Sequence, residues 1–108
     1  MKAVINGVRY DTAKAALIGE ADNLGRGVES VTDFKYWSAG LYRTPRSGRY
    51  FLAGEGGPMT RFSRSTGNNS WAGGAKIIPL DEEDALAWAE ENLPAEVIER
   101  HFAGIEDA

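Results

Sequence analysis

The chain has 108 residues, 43% hydrophobic and 26% charged, the proportions of a single ordinary globular domain over residues 1–108. With no cysteine, it offers no disulfide framework, thiol nucleophile or zinc–cysteine cluster. The net charge of −4 conceals a division: residues 35–76 hold seven basic groups against Glu55 alone, and residues 77–108 hold ten acidic groups against Arg100 alone.

Val4-Ile5 and Val8-Arg9-Tyr10 flank Asn6-Gly7, the residue pair best suited to a hairpin turn whose two central positions both need positive φ. The same Asn-Gly interrupts the first apolar stretch before a signal-peptide core forms, and no run approaches the ~20 residues of a membrane span, so a cytoplasmic protein is expected. Asp11 or Thr12 is placed to cap a short helical turn over 13–16. Residues 17–21 read as a strand, because Gly19 weakens a helix interior, and residues 22–33, with Gly25 and Gly27, read as a mobile loop. The aromatic-rich segments 34–43 and 49–53 predict two antiparallel neighbours joined by a turn at Pro45–Gly48. Pro58 suits a first helical position, which predicts a short helix over 58–65, with Met59 and Phe62 on its buried side and Gly67 at its end. Residues 76–80 predict an edge strand, since Pro79 cannot donate to a ladder. Asp81 is expected to cap a helix through Asn92 with Ala85, Trp88, Ala89 and Leu93 as its apolar stripe. Pro94 opens a second helix with Ile98, Phe102 and Ile105 inward. The fold class expected is α+β: a small antiparallel β-sheet with a short middle helix and two C-terminal helices packed on one face.

Two segments invite a functional reading. The first is the glycine-rich block Gly54–Gly57, continued through Arg61, Arg64, Asn68, Asn69, Ser70 and Trp71 to Gly73-Gly74. Glycines admit close backbone approach, a helix start at Pro58 presents free N–H groups, and Arg61 and Arg64 would share one helix face, while Trp71 offers a stacking surface. Together with Glu55 these residues suit a small anionic, nucleotide-like ligand; equally, the glycines serve tight turns and the arginines are merely solvated. The block lacks the Gly-Lys-Ser/Thr of a phosphate loop and the third glycine of a dinucleotide fingerprint. The second segment is the acidic set Asp81, Glu82, Glu83, Asp84, Glu90 and Glu91. Capping and the helix dipole account for its first four members, whose consecutive positions fan around the axis and do not converge on a metal ion. Alternatively, the acidic helical face occupies a basic surface on a protein partner.

Catalysis finds little footing. His101 is the sole histidine and lies on the C-terminal helix, and Glu55 is at most a lone general base. No metal or cofactor is expected. Arg43, Arg46 and Arg49 surround a hairpin tip beside Tyr36, Tyr42 and Tyr50, a pattern suited to nucleic acid, but the acidic tail opposes phosphates and direct nucleic-acid binding is disfavoured. Exposed tyrosines on a two-sided sheet are compatible with a homodimer.

The succession Tyr10-Asp11-Thr12, Leu41-Tyr42-Arg43-Thr44, Tyr50–Gly57, Asn69–Gly74 and Ile77-Ile78-Pro79-Leu80 resembles a group of small proteins of bacteria, phages and mobile elements. The resemblance spans nearly the whole chain and brings no catalytic residues with it. What it implies is a setting in which small acidic proteins inhibit a host defence complex, as anti-CRISPR proteins do. The expectation is therefore a non-enzymatic binding protein, with sequestration of a small anion as the alternative.

Overall fold

The computed structural model describes residues 1–108 and is α+β, with eight strands paired antiparallel and two helices. Strands β1 (Lys2–Ile5) and β2 (Val8–Asp11) form the first hairpin. Its turn places Asn6 at φ 51° and Gly7 at φ 76°, the left-handed pair that the sequence predicts. No helix follows. Asp11 Oδ1 accepts from the Ala13 amide at 2.9 Å and Lys14 N donates to Asp11 O at 3.1 Å, so residues 12–14 are a turn. Four residues are too few to nucleate a helix, and Ala16 and Leu17 pair instead with Arg43 and Tyr42.

The central sheet has the order β3-β4-β5-β8, from β3 (Ala16–Asp22), β4 (Trp37–Arg43), β5 (Tyr50–Gly56) and β8 (Gly74–Leu80). Gly19 sits inside β3 because Leu93 packs over it: a Cβ there would meet Leu93 Cδ2 at 2.7 Å. The segment 22–33 is irregular, as expected, yet it is tied down. Asn23 accepts from Trp37 N at 2.9 Å and donates to Lys35 O at 2.8 Å, Arg26 bonds Asn92 Oδ1 at 2.9 Å, and Val28 is buried. β4 starts three residues later than expected, since Asp33 Oδ1 accepts from Lys35 N and turns the chain there. β5 runs further than expected, carrying the ladder through Gly54 and Gly56. β8 lies at the sheet edge, where Pro79 does no harm.

The middle helix does not form. Residues 58–62 are turns in which Thr60 Oγ1 donates to Gly57 O at 2.8 Å and accepts from Phe62 N at 3.2 Å, a local side-chain bonding that competes with helix. Arg64–Gly67 is strand β6, paired with β7 (Ser70–Ala72) across Asn68 and Asn69 at φ 47° and 61°. Gly67 adopts its positive φ in this hairpin, not at a helix end. Of the expected buried pair, Phe62 is 1% exposed and Met59 64%.

Asp81 caps α1 (Glu82–Asn92), its Oδ1 accepting from Asp84 N at 2.7 Å. Pro94 precedes α2 (Ala95–His101). α2 ends before the expected stripe is complete, so Phe102 is buried at the C-cap and Ile105 lies outside, exposed. Ala85, Trp88 and Ala89 of α1, with Phe102, pack in one cluster with Ile18, Leu41, Tyr50, Leu52 and Phe62. Tyr10, Phe51 and Ile77 form a second cluster, flanked by Ile5, Val8 and Tyr42. Leu41 and Tyr42, and likewise Phe51 and Leu52, fall in different clusters. Successive strand residues point to opposite faces, so the sheet is covered on both sides, with the β1–β2 hairpin over the second. Tyr42 stacks on its cross-strand partner Phe51 at 5.3 Å between ring centroids, and Tyr10 meets Phe51 edge-on.

Candidate functional site

α1 contains five carboxylates and no basic residue. Asp81 is occupied as its cap, whereas Glu82, Glu83, Asp84, Glu90 and Glu91 are all exposed. They do not act as one group. Glu83 and Glu90 lie seven residues apart, within about 20° on the helix surface, with exposed Ala87 between them. Glu82 borders a groove with Arg49 and Tyr10 at one end of the helix, and Glu91 borders another with Lys35 and Arg61 at the opposite end. Glu90 and Glu91 stand in the last turn, where the dipole disfavours negative charge by roughly 0.3–1 kcal/mol each. Arg26, whose guanidinium reaches Asn92, adds a cation at that end to Lys35 and Arg61.

The glycine-rich block is explained mostly by packing. A Cβ on Gly54 would lie 2.5 Å from Ser38 O and 2.8 Å from Phe62 Cζ; one on Gly56 would strike Thr60 Oγ1, and one on Gly57 would strike Phe34 O. Gly74 is held against Phe62 O in the same way. These glycines let the 57–63 segment fold back across the end of β5. The helix start that would have aimed N–H groups at an anion is missing, and Arg61 in a turn and Arg64 in β6 share no helix face. Asn68 and Asn69 are turn residues, followed by Ser70 in β7. Trp71 opposes Ser65 and so lies on the other side of the hairpin from Arg64, which opposes Ala72. All six residues are exposed.

Two features bring together residues that lie far apart in the sequence. Arg46, at the β4–β5 tip, shares a groove with Arg9 and Lys14, which come from the first hairpin and the turn after it. Arg43 of the same tip is held back, its guanidinium 5.1 Å from the Tyr50 ring centroid. At the other end of the sheet an open cleft of about 680 Å³ lies between segment 31–36 and the chain at 55–58 and 73–74. Val31 and Phe34 on its wall are 61% and 65% exposed, and Met59 beside them 64%. Periodicity assigns Phe34 to a strand; only Asp33, a turn-former just before it, signals otherwise.

His101 is half-buried at the end of α2. No three His, Asp or Glu side chains gather as a metal site would require. No helix is long and apolar enough to cross a membrane. Comparison with protein-family models, with curated proteins and with solved structures found no match to this chain.

Proposed function

We propose that this protein is a non-enzymatic binding protein that inhibits a nucleic-acid-binding host defence complex, engaging it through the acidic outer face of α1. The observation that carries the reading is the helix itself: five carboxylates, no cation, and an outer side where Glu83 and Glu90 flank the small Ala87. A flat negative strip of this kind complements a surface built to hold phosphates, and charge complementarity of that type speeds association and selects the partner. The resemblance to proteins of phages and mobile elements supplies the setting, and the cytoplasm of the host cell is where such an inhibitor would work. The competing reading, a small anion at Arg61, Arg64, Asn69 and Trp71, has lost the helix start on which it leaned.

The test is plating of a CRISPR-targeted phage on cells that express this protein, across several CRISPR types. Restored plaques in at least one type are expected. Absence of rescue in every type, with the protein present at normal abundance, contradicts the proposal.

A further inference from the structure

The cleft beyond the end of β5 is a second surface, and its lining has a definite chemistry. Its floor is backbone: Gly56, Gly57, Gly73 and Gly74 bring no side chains to it, and Gly57 N is fixed to Tyr36 O at 2.9 Å. Its walls offer two aromatic rings, Phe34 and Tyr36, and two short apolar surfaces, Val31 and Pro58. Its only charged side chains are carboxylates, Asp33 and Glu55; no lysine or arginine lines it. Asp33 Oδ1 accepts from the Lys35 amide at 2.8 Å, which orients a carboxylate that lines the cleft. Glu55 is exposed and stands across the ladder from Ser38 and Ala75, neighbours too small to cover it.

An exposed phenylalanine and valine beside unopposed carboxylates call for an occupant that is apolar along its length, flat and cationic at its tip. A guanidinium meets all three demands: it stacks on aromatic faces, and its fork of donors matches a carboxylate. We propose that this cleft receives an arginine side chain presented by a protein partner, with the guanidinium against Phe34 and Tyr36 and its donors directed to Glu55 and Asp33. The surface is separate from the outer face of α1 and does not depend on that reading.

The test uses the isotope-labelled full chain titrated with acetyl-Gly-Arg-Gly-amide and followed through its backbone amide resonances. The matched control replaces arginine with citrulline, which keeps the shape and removes the charge. Saturable shifts are expected at Phe34, Tyr36, Glu55, Gly56, Gly57 and Gly73, with the citrulline peptide without effect. Phe34→Ala and Glu55→Gln each weaken the response by about two- to fivefold, the scale of one exposed cation–π or ion-pair contact. Both residues are exposed, so unchanged resonances elsewhere will confirm that these variants fold. The double variant Glu83→Lys/Glu90→Lys should retain the cleft shifts in full, which separates this site from the helix. An equal response to citrulline, a response confined to α1, or no saturable response overturns the proposal.

Discussion

Two hairpins in this molecule share their turn chemistry and differ in everything that follows from it. β1–β2 and β6–β7 each close through two residues at positive φ, Asn6-Gly7 in one and Asn68-Asn69 in the other. The first lays Ile5, Val8 and Tyr10 against Phe51 and Ile77 and so becomes half of a hydrophobic core. The second has only Ala72 out of contact with bulk water in any degree, and exposes Trp71 at 58%. A two-stranded ribbon without a buried face is marginal in water. Turn residues set where a chain reverses, while the apolar residues beside them decide whether the reversal is part of the folded core. β1–β2 should unfold with the domain, and β6–β7 should open on its own.

The largest way to break the first hairpin's role is Phe51→Ala. Phe51 is fully buried and touches both Tyr10 and Tyr42, so its loss should destabilise the domain by about 3–5 kcal/mol, read as a lowered denaturant midpoint. A smaller break is Gly7→Ala. A Cβ there meets nothing within 4 Å, so the penalty is the left-handed backbone alone, about 1–2 kcal/mol of global stability. On the second hairpin, Asn69→Gly should leave the denaturation midpoint where it is and slow hydrogen exchange of the β6–β7 amides, because Asn-Gly suits this turn better than Asn-Asn. Trp71→Ala should have the smallest effect, within about 0.5 kcal/mol by thermal denaturation, as for other surface substitutions. A loss of several kcal/mol on Trp71→Ala would mean that the second hairpin packs on something and that the contrast is mistaken.

The same physics sorts what was legible in the sequence. The Asn6-Gly7 hairpin, the antiparallel β4–β5 pair, the Pro79 edge strand and the Asp81-capped helix are all written in local patterns, and they form. The helix expected over 58–65 does not form, because Pro58 and the Met59–Phe62 spacing fit the observed turns as well as they fit a helix. What decides there is contact between segments distant in sequence: β5 continues through Gly54 and Gly56, and the chain must fold back over it. The expected convergence of Arg61 and Arg64 fell with that helix. The carboxylates of α1 were legible individually, but the separation of Glu83 and Glu90 on the outer side from Glu82 and Glu91 at the two ends needed the helix to be seated. One side of the cleft, Glu55 to Pro58 with Gly73 and Gly74, was legible as part of the glycine-rich block; its other wall, residues 31–36, was not, since only the sheet brings that segment alongside.

The outer side of α1 is the surface proposed for the inhibitory contact, and reversing its charge decides whether it is used. The Glu83→Lys/Glu90→Lys variant is set beside the parent chain in whichever CRISPR-targeting strain the parent rescues, with abundance and melting temperature matched. Both positions are exposed on one side of the helix, so folding should be unaffected. Loss of plaque rescue by the variant is the predicted result. Full rescue by the charge-reversed chain would contradict the account and remove α1 from the binding surface.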